Sequence, residues 1–434
     1  MVSVKKTSNR DIELLKVFKN CNPKWFTTLA LVALINTLAQ SKTEFVRIVF
    51  NTNASYEATI IWNQLSGSFK GIWIDTIKPD GELELQANQK NFIENHYKGM
   101  HNHICRLTRL KAKTKYYFAL IDSDDQSTIY YFSTVSDQSE DKLAFIAGGD
   151  SRSLREYRTK ANKMVSKLKV DAVLFNGDFT AIDTEKQWKE WFKDWESCIS
   201  GDGRITPMVV TRGNHELGNK VMIRLFDVPS RRVFYSTTFG GTLLNIISLN
   251  SEILKFGAQK LFLKRTLKKH KDYYWQIPQY HRPVRAHVKW KKEMQTQYKN
   301  FVPEFEKFKN VRLCLENDSH TCKITWPIIS DKSDDADEGF IRNDNKGIVY
   351  AGEGCWGAPL RMADDLKSWT RDAEAVNQFN LIFVSQEKIE LRTVLYENAE
   401  EIIEVREDSR FEIPSNLKLW GPTNGTLVEI YPRR

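Results

Sequence analysis

The chain has 434 residues, of which 41% are hydrophobic and 12% aromatic, and a formal charge of +9. That length predicts two or three domains, and the apolar content excludes a chain that is disordered throughout. The positive excess is mild and much of it lies between Lys255 and Lys292, without a basic stripe interleaved with stacking aromatics, so no specific nucleic-acid partner is predicted.

Residues 1–39 open with Lys5, Lys6, Arg10, Lys16, Lys19 and Lys24 and continue as an apolar run from Trp25 to Ala39, too short for a comfortable membrane span. The segment reads as a secretory signal peptide cleaved after Ala39, with Thr37 and Ala39 as the small residues of the cleavage site. An uncleaved anchor or an amphipathic helix is the competing reading. Cleavage predicts an exported protein (periplasmic, cell-surface or extracellular) with no transmembrane segment in the mature chain. It removes six basic and two acidic residues, so the formal charge falls from +9 to +5. Cys21 is lost with it, leaving Cys105, Cys198, Cys314, Cys322 and Cys355, an odd set with no metal-type spacing and no assignable pairing.

From 43 to 134 short alternating runs predict an all-β domain: FVRIVFN, ATIIWNQ, GIWIDT, HICRLTRL, YYFALID and TIYYFST. The pattern resembles a fibronectin type III sandwich, with Trp62 as core tryptophan and Tyr116 as corner tyrosine. His96, His101 and His103 fall in this region. HNH can be read as a metal clip, but alternation along a strand edge is the favoured reading.

Residues 135–142 (VSDQSEDK) are polar and predict a linker. Strands then alternate with the helical stretches YRTKANKMVSKLK, KQWKEWFKDWES and GAQKLFLKRTLKK, which predicts an α/β domain over 140–400. In the last helix Ala258, Leu261 and Phe262 form the expected buried stripe, with Leu263 and Leu267 off it. GIVYAG, FNLIFVS and KIELRTVLY are expected to close a second sheet. In the tail, 401–434, LKLWGP and GTLVEIYP are expected to pair with each other.

Three of the strands end alike. LAFIAGGDSR, AVLFNGDFT and MVVTRGNHE each run from an apolar strand through glycine to a polar side chain: Asp150, Asp178 and Asn214. Loops at the carboxyl ends of strands are where open α/β sheets hold ligands, and two carboxylates with an amide oxygen suit hard or borderline metal ions. The spacings of 28 and 36 residues each leave room for one helix and a return strand.

The ordered motifs GD, GD and GNHE resemble the calcineurin-like metallophosphoesterases, and the β domain ahead of them narrows the likeness to the purple acid phosphatase branch; it extends from Thr43 to about Val394. The resemblance implies a four-layer α/β/β/α sandwich and two metal ions (Fe, Zn or Mn). It also implies hydrolysis of phosphate monoesters by attack of a metal-bound hydroxide, with a nucleotidase or phosphodiesterase, or a secreted non-catalytic binding module, as alternatives. Carried over by motif, Asp150 and His320 hold the first ion, Asp178 bridges, and Asn214, His281 and Asp318 hold the second. His215 acts beside the phosphate as electrophile or general acid.

The sequence departs from the family pattern in several places. Asp318 replaces a histidine, Ala181 replaces the tyrosine whose phenolate stabilises ferric iron, and Pro278 replaces a valine before His281. Arg152 replaces a glycine; it is read equally as a phosphate-binding guanidinium or as a salt bridge holding its loop. His287 is read as lining the substrate mouth or, more simply, as a surface residue. GEGCWGAPLR predicts a loop close to the site, with Trp356 and Arg361 as substrate contacts.

Overall fold

In the computed structural model the described residues are 42–80, 85–123 and 126–433; the expected signal peptide and Cys21 lie outside them. Seven strands come first: β1 (Thr43–Val49), β2 (Ala58–Gln64), β3 (Gly71–Asp75), β4 (Ile93–Tyr97), β5 (Met100–Leu107), β6 (Lys115–Ile121) and β7 (Tyr130–Ser133). One layer is ordered β1-β2-β5-β4 and the other β3-β6-β7. Alternation sends Ile60 and Trp62 of β2 into one core with Ile72, Phe118 and Phe132. Tyr116 closes the strand crossing as a corner tyrosine, its hydroxyl accepting from the Lys111 amide at 2.7 Å.

The following segment is no loose tether. The Val135 amide donates to the Ala54 carbonyl at 3.0 Å, and Tyr56 Oη donates to Asp137 Oδ2 at 2.6 Å.

Next come β8 (Leu143–Gly148), α1 (Arg155–Lys167), β9 (Ala172–Phe175), α2 (Glu185–Trp195), β10 (Met208–Val210), α3 (Asn219–Phe226), β11 (Tyr235–Phe239), β12 (Leu244–Ser248), α4 (Ala258–Lys269) and β13 (Trp275–Gln279). Two short helices, α5 (Gln295–Asn300) and α6 (Val302–Phe305), precede β14 (Leu313–Glu316), β15 (Cys322–Thr325), β16 (Ile328–Ser330), β17 (Phe340–Arg342) and β18 (Val349–Gly352). The chain ends with β19 (Thr370–Glu374), β20 (Gln378–Val384), β21 (Ile389–Leu395) and β22 (Val428–Ile430).

Two large sheets result. The first is ordered β22-β21-β20-β8-β9-β10-β1-β2-β5-β4 and the second β11-β12-β13-β14-β18-β15-β19. Period-two alternation divides each central strand of the second sheet between two cores. Leu313 and Leu315 of β14 join the large core shared with the first sheet, while Cys314 faces a smaller one with Leu263, Leu267 and Phe305 of α4 and α6. Helices α1 and α2 contribute Met164, Val165, Trp188 and Trp191 to the large core. The result is the expected layered α/β sandwich, with helices packed outside two facing sheets.

Three expectations change. The buried side of α4 is Gln259, Leu263, Thr266 and Leu267, whereas Leu261 is 47% exposed. Gln259 is buried because its amide group bonds the Asn250 amide at 2.8 Å and the Asn250 carbonyl at 3.1 Å, which turns the helix away from the Ala258–Leu261–Phe262 stripe. Strands β20 and β21 belong to the first sheet, β20 paired antiparallel to β8 and to β21, and only β18 of the three runs joins the second, inside it between β14 and β15, with β19 at the edge. The tail segments do not pair with each other: β22 pairs with β21, and Leu419 bridges to Val394. The first sheet also runs without a break into the N-terminal strands, because β1 lies parallel to β10 at Val49 and Met208. Residues Thr43–Arg434 accordingly form one compact unit.

Candidate metal centre

Strands β8, β9 and β10 are parallel neighbours, so their carboxyl ends deliver Asp150, Asp178 and Asn214 to one edge of the first sheet. β13 and β14, parallel in the second sheet, deliver His281 and the Asp318–His320 turn. Asp150, Asp178, Asp318 and His320 all have positive φ, between 55° and 75°. Left-handed backbone is uncommon away from glycine and collects at functional sites. Glycine is required beside them: a Cβ on Gly213 would stand 2.2 Å from Asp178 Oδ1, and one on Gly354 would stand 2.6 Å from Asp150 Oδ2.

Two groups of ligand atoms share Asp178. Asp150, Asp178 and His320 form one and Asp178, His281 and Asp318 the other, each with its three ligand atoms within 4.8 Å of one another. His320 Nε2 lies 3.4 Å from Asp150 Oδ1, and His281 Nε2 lies 3.2 Å from Asp178 Oδ1 and 3.5 Å from Asp318 Oδ1. Asn214 Oδ1 joins the second group, 3.1 Å from His281 Nε2. Both histidines are held for coordination, because Nδ1 of His281 donates to the Asn176 carbonyl at 2.8 Å and Nδ1 of His320 to the Pro359 carbonyl at 2.9 Å. The Nε2 lone pairs therefore point inward.

These residues fit metal ions. Asp150 Oδ1 is buried without a hydrogen-bond partner, and an anionic oxygen in that state is unfavourable without a cation nearby. Burial alone would lower the pKa of His281, but Asp178 and Asp150 outweigh it and raise it well above 6.5. For Asp150 burial is likewise outweighed, here by His281 and His320, and its pKa falls to about 2. The shared carboxylate suggests a dinuclear centre.

The calcineurin-like phosphoesterase family profile matches residues 143–320. Those residues are a calcineurin-like phosphoesterase domain. Among solved structures the chain is similar to purple acid phosphatase PPD1 from seeds of yellow lupin (Lupinus luteus), with 15% identity, a TM-score of 0.66, and 86% of this chain and 76% of that one covered. It is also similar to PhoD, with 10% identity, a TM-score of 0.60, and coverage of 83% and 88%. At such identities these likenesses show the fold. No curated protein matches the chain.

Within the phosphoesterase domain the remaining expected residues sort themselves by position. His215 stands at the edge of the cluster: its Nδ1 bonds the Ala181 carbonyl, its amide donates to Asp178 Oδ1 at 2.9 Å, and its Nε2 lies 3.7 Å from Asp178 Oδ2. Arg152 reaches into the cluster, with Nε 3.6 Å from Asp178 Oδ2 and Nη2 3.2 Å from His320 Nε2, so it makes an ion pair within the site. Arg361 is at the rim, its Nη1 donating to the Asp318 carbonyl at 3.1 Å and its guanidinium 4.5 Å from the Trp290 ring.

Two expectations are corrected. His287 is neither at the mouth nor on the surface: it is fully buried between Glu353 Oε1 at 3.2 Å and Thr370 Oγ1 at 2.8 Å. Trp356 is also fully buried, packed on Phe175, Trp195 and Phe379 with Nε1 donating to Asn162, so it touches no substrate.

The structure adds residues that the motifs did not reveal. Lys291 Nζ lies 2.8 Å from Asp318 Oδ2, although in sequence it is one lysine of a basic run. Glu216 accepts from the amides of Asp178, Phe179 and Gly213 at 2.7–2.9 Å, tying the β9 and β10 loops together. Its place as the last letter of GNHE was the available signal. Asn317 Nδ2 and the Asp318 amide both donate to Asp150 Oδ2, at 3.0 and 2.9 Å.

Proposed function

We propose that this domain hydrolyses phosphate monoesters with two divalent or mixed-valence ions of the Fe, Zn or Mn type, held by Asp150, Asp178 and His320 on one side and Asp178, Asn214, His281 and Asp318 on the other. The observation that carries the reading is the pair of ligand groups sharing Asp178, with both histidines anchored through Nδ1. Two ions so held, when bound, lower the pKa of water and neutralise phosphoryl oxygens. The protein's own groups do the rest. His215, outside both ligand groups, presents Nε2 where a leaving-group oxygen can take a proton. Arg152, Lys291 and Arg361 place fixed positive charge around the anionic substrate.

A second reading rests on one specific observation. Arg152 and Lys291 already set cationic nitrogens against His320, Asp178 and Asp318, as expected of a binding module in which side-chain cations replace metal. Metal analysis of the purified protein, paired with turnover of a chromogenic monoester and a chromogenic diester, separates these. We expect about two equivalents of metal, faster monoester turnover, and loss of metal from both sites in Asp178→Asn. Diester preference would move the function to a phosphodiesterase. Metal-free protein that stays inactive after reconstitution would establish the binding module.

A further inference from the structure

A separate group of ligand-type side chains lies on the β4–β5 hairpin, outside the phosphoesterase domain. The antiparallel register sets Glu94 opposite His103 and His96 opposite His101. Side chains alternate along a strand, so all four share one face of the hairpin. One ligand atom each from Glu94, His101 and His103 lies within 4.8 Å of the others, and His101 Nε2 is 3.2 Å from Glu94 Oε2.

His103 supplies an independent pointer to a ligand. It is 2% exposed, its ring centroid lies 5.2 Å from each of Trp62, Phe69 and Phe92, and neither of its ring nitrogens has a hydrogen-bond partner. A buried polar atom left unsatisfied costs about 1–3 kcal/mol, and phenylalanine would complete this aromatic cluster without that cost. His96 and His101 also line an open groove of about 620 Å³ that gives an ion access from solvent.

We propose that Glu94, His101 and His103 form a mononuclear site for a borderline divalent ion such as Zn²⁺. Two imidazoles and a carboxylate are a donor set for that class of ion, with a fourth position left open, whereas Ca²⁺ and Mg²⁺ require more oxygen ligands. His96, stacked on His101 with ring centroids 4.0 Å apart, stands beside the open position. Because β4 is the outermost strand of the ten-stranded sheet, an ion held here pins that edge strand to its neighbour.

The test is the zinc content at saturation of the full chain and of variants, read as a difference, so the outcome does not depend on how much metal the Asp178 cluster takes. His101→Ala, at a half-buried position, is expected to bind one equivalent less than the wild type. Glu94→Gln is expected to bind that equivalent at least about tenfold more weakly. His103→Phe is expected to lose it while unfolding at or above the temperature of the metal-free wild type. Equal zinc stoichiometry in the wild type and His101→Ala, or retention of the equivalent in His103→Phe, overturns the proposal.

Discussion

His215 sits beside the metal-ligand groups without joining either of them, and its orientation is set by a backbone oxygen that the neighbouring substitution leaves in place. The Ala181 carbonyl holds Nδ1, so loss of the tyrosine side chain at 181 does not free the imidazole. If His215 delivers the leaving-group proton, His215→Ala should keep its metals and lose on the order of 100-fold or more on alkyl phosphates, but under about tenfold on nitrophenyl phosphate, whose leaving group hardly needs a proton. Equal losses on the two substrates would assign the residue to phosphate binding instead. This residue was legible in sequence because GNHE follows an apolar strand and glycine. Lys291 was not, since nothing local distinguishes a lysine that folds back onto Asp318 from one that points to solvent. His287 failed for a related reason: its partners Glu353 and Thr370 lie 66 and 83 residues away in the chain.

At the level of elements, the ends of β14, β15 and β18 are joined by a buried charge network. Lys323 Nζ contacts Glu316 and lies 2.8 Å from Glu353 Oε1, with all three residues essentially inaccessible to solvent. Burial would raise the pKa of Glu353, but the Lys323 ammonium and then His287 outweigh it and hold it at about 2, below its ordinary 4.5. A depressed carboxyl contributes stability that is present above the unfolded-state pKa and is lost as pH falls through the folded one. The expected result is a loss on the order of 3 kcal/mol between about pH 4.5 and pH 2, with a flatter acid limb in Glu353→Gln, measured by urea unfolding at a series of pH values. An unchanged pH dependence in that variant would show that Glu353 does not govern the acid limb. Of these strands β18 was legible as the apolar run GIVYAG, and β8, β9 and β10 were each placed with their loops. Their partners were not. Gln378–Val384 and Ile389–Leu395 are runs that suit either sheet, and their membership is decided by pairing with β8 rather than by their own composition.

The whole molecule is organised by the grip of the N-terminal strands on helix α3, which follows directly from the Asn214–Glu216 loop. The last carbonyls of a helix lack intrahelical partners and carry partial negative charge. Here they are met from the other layer. Arg47 of β1 is fully buried and donates to the Leu225 carbonyl through Nε at 2.9 Å and Nη2 at 2.7 Å, and it also reaches the Phe45 carbonyl and Asn102 Oδ1. Arg106 of β5 forms two bonds to Asp227 at the helix end, at 2.6 and 2.7 Å, but is itself 58% exposed. With β1 also continuing the sheet at β10, the N-terminal strands and the phosphoesterase domain should unfold in one cooperative transition. Arg47→Met retains bulk but leaves three buried acceptors without their donor, so it should cost about 3 kcal/mol or more, whereas Arg106→Ala, which removes a solvent-screened pair, should cost under about 1 kcal/mol. Urea unfolding followed by tryptophan fluorescence and by far-UV circular dichroism measures both. Separate transitions for the two probes, or a larger loss in Arg106→Ala than in Arg47→Met, would mean that the helix end is held by something other than the buried guanidinium.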